Sequence, residues 1–116
     1  MSAAIVGTGQ RLFGLFELDP AGTILYSRAE EGGRSFAAGP EVSGRNYFEE
    51  VAPFANVEEF RRRVSQFALG QSPADSFHFD CLLDGRAEHV KVLLARVRER
   101  SDGARTKSIL IHIRKG

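Results

Sequence analysis

From Phe77 onward the apolar residues recur at every second position, a pattern that a helix cannot gather onto one face. Phe77, Phe79, Cys81 and Leu83 fall on one side of an extended strand, with His78, Asp80 and Leu82 on the other. Asp84-Gly85 is a hairpin turn signal. His89 through Val97 reads as the next strand, Ser101-Asp102-Gly103 as a turn, and Lys107–Arg114 as the last strand. In that last strand Ile109, Ile111 and Ile113 share one face, and Leu110 and His112 share the other. The C-terminal part of the chain is therefore an antiparallel meander.

The N-terminal part adds a hairpin and a helical flank. Leu12 to Leu18 is rich in apolar and aromatic side chains, Asp19-Pro20-Ala21-Gly22 carries type I turn chemistry, and Ile24-Leu25-Tyr26-Ser27 resumes an extended pattern. Between Ala29 and Ser43, Gly32, Gly33, Gly39 and Pro40 break any long element, so one or two short helical turns joined by loops are expected. Tyr47, Phe48, Val51 and Ala52 place one face of a short helix inward, and Pro53 ends it. Asn56 with Glu59 reads as a capping box. Val57, Phe60, Val64, Phe67 and Ala68 form the stripe of a longer helix, for which Gly70 is placed as a left-handed cap. The expected fold class is α+β, with a five-stranded antiparallel sheet and short helices on one face. Its first strand lies between its hairpin partner and the last strand. The space between sheet and helices is where a ligand would sit.

A chain of 116 residues makes one domain with one core. Residues 1–10 read as a flexible lead-in and 11–116 as a single domain, with length for a sensor or adaptor but none for an output domain. Sixteen Lys and Arg against fifteen Asp and Glu leave a net charge of +1, so no global field attracts nucleic acid or an anionic membrane. Uninterrupted apolar runs such as Val92–Ala95 fall far short of the ~20 residues of a membrane span. The N-terminus lacks a secretion signal, and a lone cysteine, Cys81, forms no intrachain disulfide. A cytoplasmic location is expected.

Gly44-Arg45-Asn46-Tyr47-Phe48-Glu49-Glu50-Val51-Ala52-Pro53, together with the order of elements, resembles the PAS domain, and within it the photoactive yellow protein branch. The similarity runs from about Ile24 to Ala95 and takes in the Phe60 helix, Phe77-x-Phe79 and Val90-Lys91-Val92. The resemblance implies a sensory fold whose cysteine, directly after Val-Ala-Pro, carries a p-coumaroyl thioester. Phe54 stands at that position, and a phenyl ring forms no thioester. Glu31 falls where the family keeps the acid that hydrogen-bonds the chromophore, Ser27 where it keeps a tyrosine and Ala37 where it keeps an arginine. The light-driven cycle of that branch is therefore not expected here.

Other chemistry finds little support. His78, His89 and His112 fall on strands, whereas a haem-binding PAS domain generally carries its axial histidine on the helical flank, where residues 29–70 hold none. No HxH, HExxH or His/Cys pair marks a metal site, so none is expected. Glu30-Glu31 lacks a convergent acid/base partner, and Gly7-x-Gly9 has neither the third glycine nor the following helix of a phosphate loop. Cys81 reads as a small buried hydrophobe. Arg61, Arg62 and Arg63, and Arg96, Arg98 and Arg100, are offset by Glu58, Glu59 and Glu99 and read as an ion-paired surface.

Strands with apolar residues on both faces carry more information, because a sheet covered on one side alternates more cleanly. Phe13, Leu15, Leu93 and Leu110 oppose core-facing neighbours, so a second copy or a partner signalling protein is expected on the outer face. The pocket candidates are Glu31, Phe36, Tyr47, Phe48 and Phe54. The leading expectation is a non-enzymatic PAS sensory and interaction module in bacterial signal transduction, with no resident cofactor. The alternatives are a sensor that holds haem or a small aromatic ligand noncovalently, and a small α+β enzyme.

Overall fold

Two three-stranded antiparallel units, β1–β3 and β4–β6, join through β1 and β6 into one sheet in the order β3-β2-β1-β6-β5-β4. The strands are β1 (Gly14–Leu18), β2 (Ile24–Glu31), β3 (Arg34–Ala37), β4 (Ala74–Leu83), β5 (Arg86–Arg98) and β6 (Thr106–Lys115). A π-helical turn, Tyr47–Val51, and a helix, α1 (Val57–Leu69), complete the elements. The computed structural model describes residues 12–31, 34–37, 42–98 and 106–116, with the backbone alone for 30–31 and 34–37. The expected α+β architecture is present, with β1 between β2 and β6.

Five of the strands are those read from the sequence. β3 is a sixth, where short helical turns and loops were expected. β2 runs on to Glu31, and its outer edge offers backbone N–H and C=O groups that Arg34–Ala37 pairs, with Glu31 opposite Arg34 and Arg28 opposite Ala37.

The β1–β2 turn closes as its composition predicts. Gly22 N–H donates to the Asp19 carbonyl at 2.9 Å, and the Asp19 side chain accepts from Ala21 N–H and Thr23 N–H. In the β4–β5 hairpin, Asp84 and Gly85 both have positive φ, 49° and 82°, which aligns the turn with the strand twist.

Two helix ends differ from expectation. Asn56 sits at the start of α1 but makes no side-chain cap there. Its amide is taken by the free edge of β4 instead: Nδ2 donates to the Asp80 carbonyl at 2.8 Å, and Oδ1 accepts from Leu82 N–H at 3.0 Å. Two strand-like bonds outweigh one cap bond. Gly70 is extended (φ −85°, ψ −165°), not left-handed. Its N–H still donates to Phe67 O at 3.1 Å, and Arg96 on β5 adds bonds to Phe67 O and to Ala68 O.

The α1 stripe packs as its spacing dictates. Phe60, Val64 and Phe67 are buried, with Val57 and Ala68 against them. Opposite lie Phe16, Leu18, Phe79, Cys81, Val90, Val92, Leu94, Ile109, Ile111 and Ile113 from the sheet.

Candidate functional site

Seven aromatic rings fill the layer between the sheet and the helical flank. Tyr47 packs against Phe16 (4.9 Å between centroids), Phe48 (5.4 Å) and Phe60 (6.3 Å). Phe54 meets Phe60 edge-on at 5.4 Å and Phe79 at 6.1 Å, and Phe60 also touches Phe77 at 6.3 Å. Tilted and edge-to-face pairs of this kind suit the ring quadrupole. Phe54 is buried, so its ring occupies the space directly after Val51-Ala52-Pro53.

Asn46 sets this layer in place. Its Oδ1 accepts from Phe48 N–H (3.0 Å) and Glu49 N–H (3.1 Å), capping the π-helical turn. Its Nδ2 donates to Ala21 O at 3.1 Å, while Tyr47 N–H donates to Gly22 O at 2.9 Å. The turn that carries Tyr47 and Phe48 is thus bonded directly to the β1–β2 hairpin.

The Tyr47 side chain is fully buried, and its hydroxyl has no hydrogen-bond partner among the described residues. Such an orphan costs on the order of 1–3 kcal/mol. Burial, reinforced by nearby Cys81, pushes the phenol well above its ordinary range. Burial also drives the Cys81 thiol up to about 12, with Asp80 and Glu88 adding to the shift. Cys81 is therefore a thiol at neutral pH, with none of the thiolate character of a nucleophile.

One wall of the layer opens to the surface. A cleft of about 230 Å³ lies between α1 and the β1–β2 turn, lined by Leu18, Gly22, Phe48, Arg61, Val64 and Ile109 among others. Phe48 separates this cleft from Tyr47. Arg61 lies 5.4 Å over the Phe48 ring and pairs with Glu49 (3.5 Å) and Glu58 (3.8 Å), and Arg63 lies 4.1 Å over Phe77. These arginines roof the aromatic layer, a use that their sequence neighbours do not reveal.

Of the pocket candidates, the structure brings Tyr47, Phe48 and Phe54 together. The side chains of Glu31 and Phe36 lie outside the described residues; their backbones pair with Arg34 and Ala29. Ser27 is buried on β2 opposite Phe16.

The outer face carries its own rows. Arg28, Leu15, His112, Leu93 and Ser76 succeed one another across five strands, and beside them run Tyr26, Glu17, Leu110, Ala95 and Ala74. Leu93 is 45% exposed, and Leu15 and Leu110 are half-buried. Phe13 leaves this set, because it packs against the edge of the core. Glu17 Oε2 accepts from the buried Ser108 hydroxyl at 2.6 Å. His78, His89 and His112 are all on the outer face, turned away from the aromatic layer.

No protein-family model matches the chain. A photoactive yellow protein from Rhodothalassium salexigens is 35% identical to it over 81 residues, 69% of this chain and 62% of that protein. Among solved structures, the photoactive yellow protein domain of the sensor histidine kinase Ppr from Rhodospirillum centenum superposes with a TM-score of 0.60. That match has 22% identity and covers 98% of this chain and 97% of that one. The PAS domain of Bordetella pertussis BvgS gives a TM-score of 0.58 at 18% identity, over 97% and 82% of the two chains. The chain has the PAS fold and is similar to the photoactive yellow protein branch. It spans about three-fifths of the length of the curated relatives it matches. It lacks the chromophore-bearing cysteine that the resemblance implied: Phe54 stands at that position, and Cys81, the sole cysteine, is buried in the core on β4.

Proposed function

We propose that this PAS domain is a non-enzymatic sensory module of bacterial signal transduction. It takes a small ligand with an apolar body and one hydrogen-bond acceptor into the layer between sheet and helical flank. The observation that carries this reading is the buried Tyr47 hydroxyl, unpartnered among the described residues. A donor left without a partner in an apolar layer gains most from a ligand that supplies one. The cleft of about 230 Å³ beside Phe48 offers the entry and limits the ligand's size, since pockets for drug-sized molecules are usually about 300–1,000 Å³. No haem is invoked, because no histidine faces this layer.

The response travels through the bonds that tie the π-helical turn to the β1–β2 hairpin. A ligand that draws Tyr47 and displaces Phe48 pulls on Gly22 O and Ala21 O, and so on β1 and β2. The outer face of that sheet, with Leu15, Leu93 and Leu110, passes the change to a second copy of the chain. The same reading places the module in the cytoplasm, where Cys81 stays reduced.

A thermal-shift panel of small phenols, aromatic carboxylates and aromatic ketones tests the ligand. At least one class raises the Tm of the wild-type protein, and Tyr47→Phe loses that gain while keeping its fold. If no class shifts the Tm, or Tyr47→Phe responds as the wild type does, the Tyr47 pocket is not the sensing site.

A further inference from the structure

His78 and His89 lie on adjacent strands of the outer face, diagonal to one another in the β4–β5 register. Their rings stack at 17° with centroids 5.0 Å apart, and His78 Nδ1 is 3.1 Å from His89 Nε2. On its other side, His89 Nδ1 is 2.6 Å from Asp80 Oδ1. Asp80 is directly cross-strand from His89, so the contact follows from the register. Gly116 confines the ring further: its N–H donates to His89 O at 3.2 Å, and a Cβ at 116 would come within 2.6 Å of His89 Cδ2.

We propose that His78 and His89 form a two-imidazole site for a borderline transition-metal dication, Zn²⁺ or Cu²⁺, on the outer face of the sheet. The carboxylate of Asp80 accepts the Nδ1–H of His89, which leaves the Nε2 lone pair of that ring aimed at His78. This is the carboxylate–histidine arrangement that orients and strengthens an imidazole ligand. His78 completes the pair by carrying its proton on Nε2, a tautomer change through water with no net proton gained or lost. An ion at about 2.0–2.1 Å from each nitrogen spans their 3.1 Å separation at an angle of roughly 100°, provided that the two exposed rings turn out of their stack so that each in-plane lone pair meets it.

Among the described residues no group of three or more His, Cys, Asp or Glu donors gathers around one point, so water fills the remaining positions. Lys91, cross-strand from His78, opposes a dication, and Asp80 offsets it. Nitrogen ligands exclude Mg²⁺ and Ca²⁺, which require oxygen, and favour Cu²⁺ over Zn²⁺. The sequence hides this site because the two histidines stand eleven residues apart, on opposite sides of the Asp84-Gly85 turn. Asp80 acts as a positioning residue.

Isothermal titration of the tag-free protein with ZnCl₂, CuCl₂ and MgCl₂ tests the proposal, together with ¹⁵N spectra of the imidazole nitrogens. One Zn²⁺ or Cu²⁺ binds per chain in the micromolar range with Cu²⁺ tighter, Mg²⁺ does not bind, and the shifted signals are His78 Nδ1 and His89 Nε2. His78→Gln and His89→Gln each weaken binding about tenfold or more, a loss of at least about 1.4 kcal/mol. Asp80→Asn weakens it about ten- to a hundredfold and redistributes the His89 tautomers, which a purely structural role would not do. His112→Gln leaves binding unchanged. All four positions face outward on strands, and circular dichroism verifies the fold of each variant. Absence of saturable binding below millimolar metal, binding that survives His78→Gln and His89→Gln, or shifts at His112 alone would overturn the proposal.

Discussion

Arg96 holds Phe67 twice: its guanidinium donates to the Phe67 carbonyl and lies 4.6 Å over that residue's ring. The same group donates to Ala68 O (3.1 Å), Ser72 O (3.0 Å) and the Thr106 hydroxyl (2.9 Å). One planar fork therefore fastens the C-terminus of α1 to β5 and β6, at the end of the helix that no left-handed glycine closes. Lysine has neither the fork nor the stacking plane. Arg96→Lys is expected to destabilise the domain by about 1–3 kcal/mol in urea unfolding with an unchanged m-value. Stability within a few tenths of a kcal/mol of wild type would show that water serves those carbonyls equally well.

Gly22 joins the hairpin to the aromatic layer. Its φ of 97° is one that L-residues rarely adopt, and a Cβ would lie 3.1 Å from both Asn46 Nδ2 and the Phe48 ring. Gly22→Ala therefore strains the turn and presses on the cap of the π-helical turn together. A loss of roughly 1–2 kcal/mol or more is expected. Because Phe48 lines the cleft, the variant should also alter ligand-induced shifts of residues 46–48 in ¹⁵N spectra. A destabilised variant with those signals unmoved would separate the turn from the site.

The reach of the sequence follows from distance along the chain. Features that depend on near neighbours were legible: the period-two strands, the Asp84-Gly85 turn and the stripe of Phe60, Val64 and Phe67. The Asn46-Tyr47-Phe48 segment, too, was legible as the start of an inward-facing turn. What escaped depends on a partner far away. Asn56 abandons its own helix for a strand edge some 25 residues on, and Arg96 caps a helix almost 30 residues behind it. β3 forms because β2 presents a free edge, which glycine-rich composition alone does not announce. The candidate site divides similarly: its aromatic members were recognisable, whereas the orphaned Tyr47 hydroxyl and the arginine roof appear only when the layers meet.

Alkaline pH should loosen the core. The Cys81 thiol has an ordinary value of 9.0 and is pushed up to about 12 in the fold, while Tyr47 is also raised from 10.0. Both groups are neutral when protonated, so above pH 9 the unfolded chain loses protons that the native chain retains. Stability is then fully present below about pH 9 and falls as the pH rises towards 12. The Tm should decline across this window. Cys81→Ala should flatten the decline from pH 9 to 10, and Cys81→Ala with Tyr47→Phe should flatten it further. An unchanged slope in the double variant would assign the loss to other groups.

Leu93 provides the test of the outer face. It lies in the row that runs from Arg28 through Leu15 and His112 to Ser76, and it remains 45% exposed although it is central to the strand. Leu110 lies diagonal to it on β6, and Leu15 stands beyond His112 in the same row, so a second copy would bury three apolar side chains around His112. Association through such a cluster depends on a few central apolar anchors, and a charge placed at one of them costs more than about 2 kcal/mol, or roughly thirtyfold in dissociation constant. Sedimentation at micromolar concentration is expected to give a dimer for the wild type and a monomer for Leu93→Glu. The far-ultraviolet circular dichroism of the two should coincide, because position 93 faces away from the core. A wild-type monomer, or a dimer indifferent to Leu93→Glu, would move self-association off this face and leave the sheet to a different partner.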